Sequence, residues 1–561
     1  MFPRQAKSIP VSPQVRQALG LDDGVTRLSP PELLRAILRA PADLLYNGGI
    51  GTYVKASDET HAEVGDRAND AIRVNGDELR ARVVGEGGNL GMTQRGRIEA
   101  ALSGVILNTD AIDNSAGVDC SDHEVNIKIF VDRMVRAGRL QPEERADFLH
   151  SMTDEVARLV LQDNIDQNVL LLNDRQRVIE WSPSYERMMD WLEQKADLDR
   201  DLEALPTTAV LRRRIDAGQG LTSPELSVLA AYAKIELTKV LSAGTLADDP
   251  YFSETLRRYF PRQLVERFDD LLDTHPLRRQ IISTVVANDI INLGGITFAF
   301  RVMEETSVPE PVIARAFVAL REIYSFDETV DALAALPADF PTEHWTRVHL
   351  DLRRLLDRAV RWFVNHVEQG TPVQADIDAF KPLIAPFMAR LSGYLRGCDL
   401  ERARVGVETA TAWNLPEELG RHWTEQFESF ALLDIAYSTR RVDEPVENIA
   451  QVYYAVYDRF EVDNLLERIT KLPRSDRWQA LARAALRDDL YSTVADIAVA
   501  VMRASQDMRQ RDAADRLQAW QEQNADQLQR ASNMFAEVNL LEQDDISSLS
   551  VALRLLRSIV R

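Results

Sequence analysis

The sequence predicts an α/β segment with a partial, Rossmann-like parallel sheet, followed by a large all-α region. Three observations carry this. Short apolar runs that end in glycine- and asparagine-rich loops alternate with helical segments over residues 1–137. Such strand–loop–helix alternation builds a parallel sheet with helices on its faces. From about residue 140, apolar residues recur at i, i+3, i+4 and i+7 without any alternating strand run, which is the period of amphipathic helices. Finally, 561 residues with 45% hydrophobic content can fill several cores. The expected division is 1–137 for the α/β part and 138–561 for two or three helical bundles.

The elements follow in order. Ser29-Pro30-Pro31-Glu32 is a capping box with proline in the first turn. It opens a helix through Leu33, Leu34, Ile37 and Leu38. A strand, Ala42 to Tyr46, ends in the loop Asn47-Gly48-Gly49-Ile50-Gly51, and His61 to Val74 reads as a polar-faced helix. A second strand, Arg82 to Glu86, runs into Gly87-Gly88-Asn89-Leu90-Gly91. Thr93 caps a helix from Gln94 to Ser103, which Gly104 closes. A third strand, Val105 to Ile112, leads to Asp113-Asn114-Ser115-Ala116-Gly117-Val118. Ser121-Asp122-His123-Glu124 reads as another capping box, opening a helix to about Val135.

In the helical region the clearest segments are Glu144–Leu172, Tyr185–Leu202, Ser223–Ser242, Val312–Tyr324, Trp345–Gln369 and Ser548–Val560. Thr222-Ser223-Pro224-Glu225 is a third capping box. Ile281 to Phe300 is the most apolar stretch, but Asn288, Asp289 and Asn292 lie within it. A charge at mid-membrane costs about 3 kcal/mol, so the stretch reads as buried helix broken near Gly294 and Gly295.

The formal net charge is −22 and the pI about 5.0. So acidic a surface repels phosphate backbones and anionic headgroups, which argues against nucleic acid and membrane as partners. Two distant cysteines, Cys120 and Cys398, make neither a disulfide framework nor a zinc spacing, and suit a reducing cytoplasm. The start, MFPRQAKSIP, has no apolar core of a signal peptide. The eight histidines show no metal-ligand spacing, so no metal is expected.

Chemistry concentrates in the three strand-end loops. Glycine lets backbone approach a ligand with its N–H groups exposed, and asparagine offers a donor and an acceptor together. Ligands of parallel sheets bind at these loops. The run Gly85 to Gly91 does not have the G-x-G-x-x-G spacing, so on spacing alone ordinary tight turns and ligand binding weigh equally.

A resemblance weighs on this. Gly85-Glu86-Gly87-Gly88-Asn89 with Thr93 resembles the E-G-A-N-x-x-x-T segment of glutamate dehydrogenases. Asn114-Ser115-Ala116-Gly117-Val118-Asp119-Cys120-Ser121 resembles their N-A-G-G-V-x-x-S segment. The strings ADLLYNGGIGTYVKAS (Ala42–Ser57), GDRANDAIRVNG (Gly65–Gly76), VVGEGGNLGMTQRGRIE (Val83–Glu99) and NTDAIDNSAGVDCSDHEVNIKI (Asn108–Ile129) are similar to the very large NAD-specific bacterial class. The remainder resembles that class's helical C-terminal region more diffusely.

The resemblance implies NAD as cofactor, with Gly87, Gly88, Asn89 and Asn114 beside it. It implies L-glutamate as substrate, with Asn114, Val118 and Ser121 lining the pocket and the Ser121 hydroxyl reaching the side-chain carboxylate. Ser121 can serve at the same time as the N-cap of the following helix. Gly88 stands where the motif has alanine, and Ala116 where it has glycine. Both are small-for-small changes expected to leave the loop shapes intact.

Lys55 and Lys128 fall outside the family's catalytic-lysine motif. Cys120 reads as an inert thiol and His123 as structural. The family's catalytic lysine and glycine fingerprint lie upstream of the matched strings, so no catalytic residue is assigned. The expectation is the C-terminal half of the cofactor domain, either a fragment or a split gene product, inactive alone and working with the missing N-terminal half. A homo-oligomer is the family expectation. The competing expectation is a helical regulatory or scaffold subunit without catalysis.

Overall fold

The computed structural model describes residues 6–560, except 389, 427, 474–475 and 540–544. Residues 1–5, on which the reading of the N-terminus partly rests, lie outside this set. The chain is mainly helical with a small parallel sheet. It forms two compact units, Met1–Phe298 and Ala299–Arg561. The expected division at 137/138 therefore falls inside the first unit.

The first unit opens with an antiparallel pair, β1 (Ile9–Pro10) and β2 (Arg27–Leu28), around helix α1 (Pro13–Leu19). Helix α2 (Pro30–Leu38) starts at the expected capping box, where the Ser29 backbone N–H donates to Glu32 Oε2 at 2.7 Å. Strands β3 (Leu44–Asn47) and β6 (Val83–Glu86) pair in parallel, Leu44 opposite Val83 and Asn47 opposite Glu86. Strands β4 (Val54–Lys55) and β5 (Val74–Asn75) form a second parallel pair. Beneath them Val54, Val74, Leu79, Ala81, Val84, Met92, Ala100, Val105 and Leu107 make one buried cluster. Burying each valine or leucine fully stabilises the sheet by about 1.5–3 kcal/mol.

Three expectations fail here. His61–Val74 is not one helix: α3 spans His61–Val64 and stops at Gly65, whose φ of +76° is costly for other residues. Asp66 then accepts from the Thr52 N–H (2.8 Å) and from Asn69 (2.6 Å), fixing a turn. Val105–Ile112 is not a strand. Ile106 alone bridges Val83, and the chain turns into helix α5 (Asp110–Asp113). Ser121 does not begin a helix: α6 runs Ser115–Arg136. Helix α4 (Gln94–Leu102) does form as expected, with the Thr93 hydroxyl accepting from the Gly96 N–H.

The rest of the first unit is helical: α7 (Arg145–His150), α8 (Thr153–Gln176), α9 (Val178–Lys195), α10 (Thr208–Asp216), α11 (Ser223–Ala243), α12 (Phe252–Tyr259), α13 (Arg262–Leu272) and α14 (Arg278–Gly294). Thus Glu144–Leu172 divides into two helices, and the helix expected over Tyr185–Leu202 begins at Val178 and ends at Lys195. Helix α8 packs on α6, α11 and α14, burying Leu170, Leu229 and Ile290, while Phe130 of α6 meets Phe260, Phe268 and His275. Helix α14 ends at the expected Gly294–Gly295 break.

The second unit is helical throughout its described regular structure. The three segments expected there appear as Glu310–Ile323, Thr342–His366 and Ile546–Ser558. Among the described residues no single helix is long and apolar enough to cross a membrane.

Candidate functional site

The strand-end loops of the first unit meet at one place. Strand β6 carries Val84 into the core and then delivers Glu86, 1% exposed, at its carboxyl end. One turn into α4, Arg97 donates to both oxygens of Glu86, at 2.6 and 2.9 Å, and lies 2.9 Å from Asp110 Oδ1 on α5. The carboxylates then grip backbone. Asp110 Oδ2 accepts from the Leu90 N–H at 2.8 Å, Asp113 Oδ2 from the Glu86 N–H at 3.1 Å, and Glu86 Oε2 from the Met92 N–H at 3.1 Å. The loop 87–91 is therefore pinned at both ends.

Burial pushes the Glu86 carboxyl up from its ordinary range, against the pull of Arg97. Burial also works to lower the Arg97 pKa, but Glu86 and Asp110 more than offset this. The two-pronged geometry marks a charged pair.

The loops converge through asparagines. Asn114, between α5 and α6, donates from Nδ2 to Asn89 Oδ1 at 2.9 Å. The backbone N–H groups of Gly88 and Asn89 donate to no group among the described residues. The loop 47–51 lies alongside, with Thr52 Oγ1 donating to the Leu90 carbonyl (2.8 Å) and the Tyr53 N–H to that of Gly91 (2.8 Å). Asn47 Nδ2 is buried without a hydrogen-bond partner. Around this junction Tyr46, Ile50, Leu90 and Val118 are exposed apolar side chains.

Val118 and Ser121 sit at i, i+3 on the exposed side of α6, so their side chains are neighbours. Ser121 lies six residues into the helix, about 9 Å along its axis at 1.5 Å per residue. Its reading as an N-cap is overturned. Ser115 is the first helical residue, and its hydroxyl accepts from Asn164 of α8 at 3.0 Å.

Comparison with known proteins gives two family matches. A family model for the bacterial NAD-glutamate dehydrogenase catalytic domain matches residues 1–174, and one for the glutamate dehydrogenase C-terminal region matches residues 218–558. The chain belongs to the bacterial NAD-specific glutamate dehydrogenase family. It is 41% identical to the NAD-specific glutamate dehydrogenase of Mycobacterium tuberculosis over 100% of this chain and 34% of that protein. Enzymes of the same name from Halomonas elongata and Pseudomonas aeruginosa are each 40% identical over 99% of this chain and 34% of theirs. The chain spans about a third of the length of the curated relatives it matches.

One departure from the family's motif has a structural reason that sequence alone hides. A methyl group at Gly88 would stand 2.4 Å from the Gly49 carbonyl oxygen. The two loops touch there backbone to backbone, so the exchange with alanine does not leave this loop shape intact. Gly88→Ala is expected to lower stability by about 1–3 kcal/mol through overpacking, read as a lower thermal midpoint of the first unit. A neutral or stabilising result would mean that the loops do not abut. Ala116 is exposed in the first turn of α6 and is accommodated.

The spacing arguments missed the Glu86–Arg97–Asp110–Asp113 network. Its signal was a glutamate closing an apolar strand. Lys55 is a structural group, donating to Asn75 Oδ1 (2.7 Å) and the Ala56 carbonyl (2.9 Å), while Lys128 pairs with Glu124 on the surface of α6.

The second unit holds a separate cavity of about 700 Å³ lined by Arg354, Arg402, Trp413, Trp423 and Tyr457 among others. Trp413 stacks between His344 (4.1 Å) and Trp423 (4.9 Å). None of the residues expected from the sequence lies there.

Proposed function

We propose that this chain supplies the Gly87–Asn89 and Asn114 side of an NAD-dependent glutamate dehydrogenase site. The enzyme would oxidise L-glutamate to 2-oxoglutarate and ammonia, with the remaining substrate and catalytic groups coming from the rest of the enzyme. The observation that carries this is the Asn114–Asn89 hydrogen bond. It joins the two loops that the family motifs mark, and no packing requirement calls for an exposed and a half-buried asparagine at that junction. The residues fit a dinucleotide: unused backbone N–H groups at Gly88 and Asn89 suit an anionic or ribose oxygen, and the two amides suit a carboxamide and hydroxyls.

NAD bound here would accept the hydride from Cα of glutamate. The chain's own groups orient the two partners. Asn114 offers its carbonyl oxygen to the substrate amino group while its amide nitrogen stays on Asn89. Val118 and Ser121, on the outer face of α6, line the pocket. The exposed Tyr46, Ile50 and Leu90 give the site an apolar rim.

The test is NADH formation from L-glutamate by the 561-residue chain, alone and combined with the polypeptide carrying the rest of the enzyme. Activity is expected only in the combination. Asn114→Ala is expected to lower kcat/KM about 100-fold, the scale of losing one well-placed polar contact in the transition state. Turnover by the chain alone, or an Asn114→Ala combination as active as the parent, would sink the reading.

A further inference from the structure

On the inward face of α6, turned away from Val118 and Ser121, three potential metal ligands face one another. Asp119 and His123 are one helical turn apart on α6, and Asp163 reaches them from α8. One donor atom of each lies within 4.8 Å of the others. His123 Nε2 stands 3.9 Å from Asp119 Oδ1 and 3.9 Å from Asp163 Oδ2, too far for hydrogen bonds.

Two further features point to a missing cation. His123 is 2% exposed, and its Nδ1 has no hydrogen-bond partner. The nitrogen that faces both carboxylates, Nε2, also makes no hydrogen bond to either of them. Asp119 Oδ2 is likewise buried without a donor.

The electrostatics agree. Asp119 and Asp163 set two carboxylates against one buried imidazole. Asp166 and Asp289 add negative charge nearby. Lys234 feels all four of these aspartates but makes no ion pair with them among the described residues.

We propose that Asp119, His123 and Asp163 bind a divalent transition-metal ion of the zinc or manganese type. One imidazole and two carboxylates are a donor set such ions take. Bonds of about 2.0–2.2 Å would draw the donors to roughly 3.3 Å apart, a small contraction between two packed helices. The ring is already oriented for it: Tyr259 stacks on His123 at 4.5 Å and is itself held by Asn126 at 2.8 Å.

The ion would act as a positioning device. Asn164, next to Asp163, donates to the Ile112 carbonyl (2.8 Å) and to Ser115 Oγ (3.0 Å). Clamping α8 to α6 therefore fixes the α5–α6 joint from which Asn114 projects.

The experiment is calorimetric titration of the chelator-treated 561-residue chain with zinc chloride, alongside thermal denaturation with and without zinc. One tight equivalent and a raised midpoint are expected. Asp163→Asn alters a half-exposed side chain, so the fold should survive it. It should weaken that event about 100-fold or more, the scale known for partners of metal ligands, and abolish the rise in midpoint. His123→Gln should do the same. No tight equivalent with the parent chain would overturn the proposal. So would an event that survives both substitutions, since zinc would then sit elsewhere, as on exposed Cys398.

Discussion

Replacing Arg97 by alanine is expected to cost about 3–5 kcal/mol, the range found when one partner of a buried ion pair is removed. Arg97 and Glu86 have side chains 4% and 1% exposed. Without the guanidinium, Glu86 keeps one hydrogen bond, from the Met92 N–H, and Asp110 loses its cation. The damage spreads to the proposed site because Asp110 holds Leu90 and Asp113 holds Glu86. Urea denaturation, followed on the transition of the first unit, measures it. Glu86→Gln combined with Arg97→Met should recover only part of the loss, since Glu86 is then no longer a stranded ion while Asp110 still lacks its cation. A cost under about 1 kcal/mol for Arg97→Ala, typical of a surface pair, would show that the network is wet and that the loop is pinned by other means.

How much of this could be read from the chain depends on where each signal lives. Capping boxes are local, so Ser29 and Thr222 mark helix starts that form. The same pattern at Ser121 misleads. The box needs its serine at a helix end, and here the chain enters the helix two turns earlier, at Ser115, where Asn164 of a distant helix meets it. The run Val105–Ile112 is apolar enough for a strand, but Asp110 and Asp113 are drawn to the Arg97 network, and the strand shrinks to one bridge at Ile106. Those partners are remote in sequence, so no local pattern records them. The glycine loops are legible as loops. That Gly88 rests against the Gly49 backbone depends on the pairing of β3 with β6 and shows only in three dimensions. The Asp119–His123–Asp163 group escaped for the same reason: the i, i+4 pair is local, but Asp163 arrives by helix packing.

A second large effect is expected in the helical unit, at Arg516. Its side chain is 2% exposed and meets Glu444 with two bonds of 2.7 Å, while Nε donates to Ser505 at 2.8 Å. One guanidinium thus ties helix 513–523 to the end of helix 477–504 and to the segment preceding helix 446–459. Arg516→Ala should cost about 3–5 kcal/mol. Arg516→Lys should recover only part of it, because an ammonium cannot form the fork.

The pH dependence of that loss separates charge from packing. Burial works to raise the Glu444 pKa, but Arg516 outweighs it and the carboxyl sits below its ordinary value. A folded-state pKa below the unfolded value of about 4.3 adds stability that is present above pH 4.3 and lost as pH falls through the folded value. In Arg516→Ala the buried Glu444 keeps only the weaker hold of Asn448 and of Arg509, 4.0 Å away, and its pKa should rise. Stability then falls with rising pH where the parent's rises. The gap between parent and variant should therefore be wider at pH 7 than at pH 3.5, as measured by denaturation at both. An equal gap at the two pH values would mean that Arg516 acts through its packing alone, and that the Glu444 pair adds nothing to the fold.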